Sequence, residues 1–431
     1  MTAHAATAVT AVPAPHSAAH PEHSVQTTHT VLVGAQVWQG PERGFQQQDL
    51  IFAAGQVVDG VGGSTTRQIP AHDKWIIPGL IDAHFHAYAH SLNGMEIERG
   101  PLSYAALKGA TRLERALRRG FTTVRDVAGG DIGISNAISQ ELFPAPRYLF
   151  TGPALSQTGG HGDPRTQHID VCFSHGHMCQ VVDGVDALLV AVRERLRTGA
   201  HAIKVMTSGG VFSLTDPIRI PQYSDAELQA ITSEARRRGS YTTAHAYSSE
   251  AVLHSINNGV ECIEHGNLID SATVAEMAAR GTHLVPTLAA YYAMDRRGEE
   301  LGLNAISLAK NQEVLDQGKV AAQLALEAGV MVGFGTDLMG DLEDEQLTGV
   351  RLQVEALGAA AALHSMTAAN AAILRDPRLG SLAAGSCADA VVLTANPLWE
   401  PDALWEPDAR AEIYLRGEPV LTPHTPHHHT R

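Results

Sequence analysis

Two histidines stand two residues apart in the run PGLIDAHFH, at His84 and His86. The apolar residues before them read as a buried strand, and side chains on a strand alternate faces. Both imidazoles therefore point one way and Phe85 the other, which makes half of a metal site. Four more groups able to ligate or activate a metal close other apolar runs. They are Lys204 in AIKVMTSG, His245 in YTTAHAY, His265 in CIEHG and Asp337 in VMVGFGTD.

Something must bring these six groups together. From Trp75 the chain alternates apolar run, loop and helix about eight times, through IIPGLIDAHFH, TTVRDVA, PRYLFTG, AIKVMTSG, YTTAHAY, CIEHG, HLVPTL and VMVGFGTD. Amphipathic helical patterns such as SYAALKGATRLERALRRG and VDALLVAVRERLRTG lie between them. In SDAELQAITSEARRRG, Ser224 and Glu227 have the spacing of a capping box. This rhythm predicts an α/β fold, a (β/α)8 TIM-type barrel over residues 75–375. Reactive side chains of such a barrel sit at the C-terminal ends of its strands, and the six groups fall at five of these ends.

Short strands flank the barrel pattern: TVLVGAQVW and DLIFAAGQVVDG before it, SCADAVVLTA and EIYLRGEPV after it. Pairing them predicts a small β-sandwich domain from 29–74 and 376–422, built from both chain ends. Residues 1–28 and 423–431 read as structureless tails. LWEPDA occurs twice in tandem, at Leu398–Ala403 and Leu404–Ala409, and reads as a duplicated surface loop.

Composition narrows the function. At 431 residues, with 44% apolar and 18% charged residues, the chain suits a large α/β unit plus a smaller module. A net charge of −15 argues against nucleic-acid or anionic-membrane partners, which need basic surface. The four cysteines have no regular spacing, so reduced thiols and a cytoplasmic location are the default. No signal-peptide pattern and no membrane-spanning run is read. CFSHGHMC (Cys172–Cys179) is too compressed for the usual zinc spacing.

From about Thr30 to Val420 the chain resembles the amidohydrolase superfamily. The likeness rests on the His-x-His of AHFH, the Lys of IKVMTSGG, the His of TTAHAY and of CIEHG, and the Asp of FGTD. SQTGGHGD (Ser156–Asp163) and DPIRIPQYS (Asp216–Ser224) resemble the prolidase- and carboxypeptidase-like branch, which includes ochratoxin-cleaving amidases. The resemblance implies two divalent metals, most simply Zn2+, given the nitrogen and oxygen donors. His84, His86 and Asp337 would hold one, His245 and His265 the other, with Lys204 bridging them as a carbamate. A lysine in an apolar strand favours the neutral amine, which can take up CO2.

The expected reaction is hydrolysis of an amide bond in a small carboxylate-bearing substrate: a dipeptide, an N-acyl amino acid or an ochratoxin-like amide. A metal-bridging hydroxide would attack the carbonyl, and Asp337 would carry its proton to the leaving amine. His161, in the Gly-rich loop, would hydrogen-bond the carbonyl or oxyanion. Tyr223 and Arg219 are expected to bind the substrate carboxylate or carbonyl. Relatives of the branch imply a homo-oligomer, up to an octamer. A cyclic-amide hydrolase of imidazolonepropionase type, or a deaminase, would share the fold. Lys204 weighs against both, since a bridging carbamate goes with two metals. A non-catalytic scaffold would lack one of the six groups, and none is missing.

Overall fold

The computed structural model describes residues 29–61 and 65–420. The tails expected at 1–28 and 423–431 lie outside the described residues. In chain order the first strands are β1 (His29–Trp38), β2 (Phe45–Ala53), β3 (Gln56–Val58), β4 (Thr66–Pro70) and β5 (Trp75–Pro78). Next come β6 (Leu80–Phe85), β7 (Phe121–Asp126), β8 (Arg147–Phe150), β9 (Ala154–Ser156), β10 (Cys179–Val181), β11 (Ile203–Met206), β12 (Thr242–Ser248), β13 (Cys262–Leu268) and β14 (His283–Val285). The last are β15 (Ala390–Leu393), β16 (Arg410–Leu415) and β17 (Glu418–Pro419).

The first five strands and the last three form one eight-stranded sheet, in which β5 pairs antiparallel with β15 and runs parallel beside β1. Its alternating apolar residues, among them Leu32, Leu50, Phe52, Ile76 and Tyr414, bury a core of their own. Residues 75–78 thus belong to this sheet, and the boundary expected before Trp75 moves to Gly79. The reason is steric. A Cβ on Gly79 would stand 2.0 Å from Thr122 Oγ1, so only glycine lets the chain cross from one sheet to the next.

Strands β6 to β14 form two parallel sheets, ordered β6-β7-β8 and β10-β9-β11-β12-β13-β14. Backbone hydrogen bonds join them on both sides. His201 N–H donates to Phe150 C=O at 2.7 Å, linking the end of β8 to the approach to β11. Opposite, residues 331–337 run between β14 and β6. Gly333 N–H donates to Leu284 C=O (2.8 Å), Ala83 N–H to Phe334 C=O (2.9 Å) and Asp337 N–H to His84 C=O (2.8 Å). A Cβ at Gly335 would lie 2.4 Å from that of His84, so this close approach also requires glycine.

Helices cover these strands with their apolar faces. In the helix Leu102–Arg118, Ala105, Gly109, Leu113, Ala116 and Leu117 are buried at helical spacing. Arg112 is buried on the same helix and donates to the carbonyls of Leu338 (2.7 Å) and Gly340 (2.8 Å), which tethers the loop after Asp337. The capping box of Ser224 and Glu227 is present at the start of the helix Asp225–Arg237. The two LWEPDA copies differ in environment: Trp399 is 82% exposed, whereas Trp405 packs against the main core and Leu404 is buried in it. Among the described residues no helix is long and apolar enough to cross a membrane.

Asn370 staples the 331–337 segment to β6. Its amide donates to Ile81 C=O (2.7 Å) and Phe334 C=O (2.9 Å) and accepts from Phe334 N–H (3.0 Å), all out of water. Asn370→Leu removes three buried hydrogen bonds, leaves Phe334 N–H without a partner, and should cost roughly 3 kcal/mol. Thermal melting should fall by several degrees, with metal binding weakened in the same variant.

Candidate metal centre

The C-terminal ends of β6, β11, β12 and β13, with residue 337, converge on one cavity of about 410 Å³. His84, His86, Lys204, His245, His265 and Asp337 all line it. The donor atoms of His84, His86 and Asp337 lie within 4.8 Å of one another, a grouping able to hold a metal ion. Asp337 Oδ1 is 2.8 Å from His86 Nε2 and 3.4 Å from His84 Nε2. Burial alone would raise the Asp337 carboxyl, but the neighbouring imidazoles, His84 first, hold it well below the usual range. It is therefore an anion at neutral pH.

Three of the four imidazoles, those of His84, His245 and His265, are oriented from behind. His84 Nδ1 lies 2.7 Å from Glu264 Oε2; a carboxylate can only accept, so Nδ1 carries a proton and Nε2 is the nitrogen turned towards Asp337 and available to a metal. Gly209 C=O plays the same part for His245, receiving Nε2–H at 3.1 Å and leaving Nδ1 free to ligate. That Nδ1 faces His265 Nε2 at 2.8 Å, while His265 Nδ1 is held by Thr287 Oγ1 (2.7 Å) and Tyr291 OH (2.9 Å). Beside both sets lies Lys204. Its Nζ is buried without a hydrogen-bond partner among the described residues, and burial pulls its amine down towards the neutral form. Lone pairs aimed at one another and an unsolvated amine fit a cationic metal group better than they fit one another.

The backbone is bent to achieve this. His265 (φ 75°) and Asp337 (φ 53°) are non-glycine residues in the left-handed region, an outlier that accompanies functional sites. Ordinary strand alternation would turn Glu264 and His265 to opposite faces. The left-handed His265 lets consecutive residues serve one site, Glu264 behind His84 and His265 beside His245.

The Amidohydrolase family model matches residues 75–420. The chain belongs to the amidohydrolase family. Ochratoxinase of Aspergillus niger is 31% identical over 361 residues, spanning 78% of this chain and 72% of that protein. A prolidase solved with N-methylphosphonate-L-proline is 37% identical, with a TM-score of 0.88 over 92% of this chain and all (100%) of the other. A Xaa-Pro dipeptidase structure with bound methionine is 25% identical, with a TM-score of 0.80 over 91% and 99% of the two chains.

In this amidohydrolase His161 also lines the cavity, stacked on His245 with ring centroids 4.1 Å apart. Its Nδ1 is 2.8 Å from Ser213 Oγ, whose own proton goes to the Asp216 carboxylate. Nδ1 of His161 is thus the donor in that bond, and the neutral ring accepts at Nε2. Donation to a carbonyl needs the protonated ring; burial holds the His161 imidazole below its ordinary range, and Asp216, 3.9 Å away, offsets this only in part.

Two expected substrate contacts lie elsewhere. Tyr223 is buried in the core and its hydroxyl donates to Val182 C=O at 2.9 Å, so it anchors the chain before the helix Asp225–Arg237. Arg219 pairs with Glu313 at 2.9 Å on the surface, its side chain 56% exposed. Neither lines the cavity. Both sit in a loop whose backbone turns them away from the metal donors, a path that spacing does not reveal. At CFSHGHMC, Cys172 is exposed and Cys179 buried, and the described residues offer no metal grouping there.

The residues that sequence reading missed are the supports. Arg125, fully buried, donates to Glu264 at 2.5 Å, and Glu264 in turn holds His84. The signal was present: Arg125 is a charge inside the apolar run TTVRDVA, and such a charge requires a buried partner. Glu264→Gln keeps shape but removes the acceptor-only group that sets the His84 tautomer. Metal affinity should drop roughly 10–100-fold in a chelator competition.

Glu98, on the helix Gly94–Arg99, lines the same cavity almost wholly buried and accepts from Met178 N–H at 3.0 Å. Burial outweighs such bonds and pushes its carboxyl up from 4.5 to about 7. Between those values the folded protein keeps a proton that the unfolded chain has lost, so stability falls as pH rises through the window. Glu98→Gln should therefore be more stable than wild type near pH 8, by roughly 3 kcal/mol in denaturant unfolding, with the advantage gone near pH 4.

Proposed function

We propose that this amidohydrolase is a binuclear metal enzyme cleaving the amide bond of a small carboxylate-bearing substrate. The reading is carried by one arrangement: an anionic Asp337 against the imidazoles of His84 and His86, with an unsolvated Lys204 in the same cavity. The relatives support the bond type, since they include an ochratoxinase, a prolidase and a Xaa-Pro dipeptidase. In this reading the two parallel sheets and residues 331–337 are the walls of a closed (β/α)8 barrel, and the eight-stranded sheet is its accessory β-domain.

His84, His86 and Asp337 would hold one ion and His245 and His265 the other, and Lys204, as its carbamate, would complete the donor set. Zinc suits these donors. Bound divalent ions polarise an amide carbonyl and make water acidic enough to react at neutral pH. The rest falls to the protein. Asp337, ionised, takes a proton from the attacking water and passes it to the amine nitrogen, which cannot leave unprotonated. His161 lies on the β9 side of the cavity and can donate to the carbonyl oxygen only from its protonated ring.

The test is turnover by metal-loaded protein on Xaa-Pro dipeptides, other dipeptides, N-acyl amino acids and ochratoxin A. At least one class should be hydrolysed; inertness to all with two metals bound overturns the reading. Asp337→Asn should lower kcat by roughly 10²–10⁴-fold while the metal content measured by elemental analysis largely persists. Activity within tenfold of wild type would remove Asp337 as proton carrier.

A further inference from the structure

A second cavity, of about 740 Å³, shares no lining residue with the metal centre. Strand β10 stands between the two: Cys179 lines the first, Gln180 and Val181 the second. One arginine lines this second cavity, Arg195, in the last turn of the helix Val185–Arg197 and 5% exposed. Its Nε donates to Pro153 C=O at 2.7 Å, and Nη1 donates to Gln180 Oε1 at 2.9 Å and Ala191 C=O at 3.0 Å. All three acceptors are neutral. Nη2 is buried and has no hydrogen-bond partner among the described residues.

A guanidinium at this depth ordinarily has a carboxylate beside it, as Arg125 has Glu264 at 2.5 Å. Glu194, adjacent to Arg195 in the chain, turns instead to Arg197, at 2.6 and 2.7 Å. Asp131 and Asp183, also in the wall, hold their own donors, Ile134 N–H (3.0 Å) and Thr158 N–H (3.0 Å). Burial draws Arg195 down from 12.5 only to about 10, so it remains a cation at neutral pH. Its field reaches the neighbouring lining residue His175, whose imidazole burial, and then Arg195, hold below the ordinary range.

Much of the remaining wall is apolar: Leu102, Ile132, Phe150, Ala187 and Val190. Leu102 is 44%, Ile132 45% and Val190 66% exposed, so hydrocarbon beside the guanidinium is left in water. An uncompensated buried cation next to exposed apolar groups describes a ligand with two unlike ends. A bare inorganic ion would answer the charge and leave most of the volume and the apolar wall uncovered.

We propose that this second cavity binds a small amphiphilic carboxylate, its anion paired with the Arg195 guanidinium and its hydrocarbon body against Leu102, Ile132 and Val190. The site takes no part in the amide chemistry, so the two readings stand or fall separately.

The experiment is calorimetric titration of metal-loaded wild type, Arg195→Gln and Val190→Glu with octanoate, octanamide and inorganic phosphate. Wild type should bind octanoate roughly tenfold to hundredfold tighter than octanamide, the span of a charge-assisted hydrogen bond. Phosphate, without an apolar body, should bind roughly tenfold or more weaker than octanoate. Arg195→Gln should erase the preference for the acid. Val190→Glu changes an exposed helix position, so it folds even where the buried substitution does not. Its like charge should weaken octanoate by roughly threefold or more, and octanamide by less. No octanoate binding at millimolar concentration, or phosphate bound as tightly as octanoate, overturns the proposal. So does octanoate affinity unchanged in Val190→Glu, which is the pattern of a carboxylate held at the metal centre alone.

Discussion

The backbone contact between His84 and the chain at residues 336 and 337 is the constraint on which the rest depends. One carbonyl, that of His84, receives the N–H groups of both Thr336 (3.2 Å) and Asp337 (2.8 Å). Asp82 reinforces it, accepting from Thr336 N–H (3.1 Å), from the Thr336 hydroxyl and from Gln346 (3.0 Å). Burial pushes the Asp82 carboxyl up to about 6 even with those donors, so the group is there at an electrostatic cost. What that cost secures is the approach of a carboxylate to two imidazoles that lie some 250 residues earlier in the chain, His86 and Asp337 being 251 apart.

Buried charge is organised outward from this contact. The anion of Glu264 is pinned between Arg125 and His84, and the arginine is fully buried. A charge pair at that depth rarely adds net stability over apolar packing of the same volume. Its value here is orientation, since it fixes which nitrogen of His84 points at Asp337. Gly209 C=O, Thr287 and Tyr291 do the same for His245 and His265 with neutral groups. The donors are held rigid by partners that never face the substrate, as a site needing sub-ångström placement requires.

The cavity divides its labour. One end carries the anion, the imidazoles and Lys204; the remainder is lined mainly by hydrophobic side chains and one guanidinium. Lys310 keeps that remainder in shape, donating to the carbonyls of Gly210, Ser213 and Asp216 at 3.0, 2.8 and 2.6 Å. The loop that orients His161 is therefore braced from the helix Ala305–Leu315.

Composition and pattern alone determined the α/β class, most of the parallel strands and all six metal-competent groups. They did so because strand periodicity and residue type are local properties, and donors at strand ends stay legible however the strands are arranged. Residues 331–337 were legible as an apolar run, although only Val332 makes an isolated bridge there; the pairing comes from hydrogen bonds to β14 and β6. Tertiary structure decided what depends on distance across the sequence. It split the run IIPGLIDAHFH at Gly79 between two sheets, because Thr122 leaves no room for a side chain. It turned Tyr223 onto Val182 and Arg219 onto Glu313, neither of them lining the metal cavity. It also made Glu264 and Arg125 the supports of His84, by a left-handed residue that breaks the strand alternation from which side-chain direction is read. Residue type is written in the chain; which way a side chain faces, and what it meets there, is set only when distant segments pack.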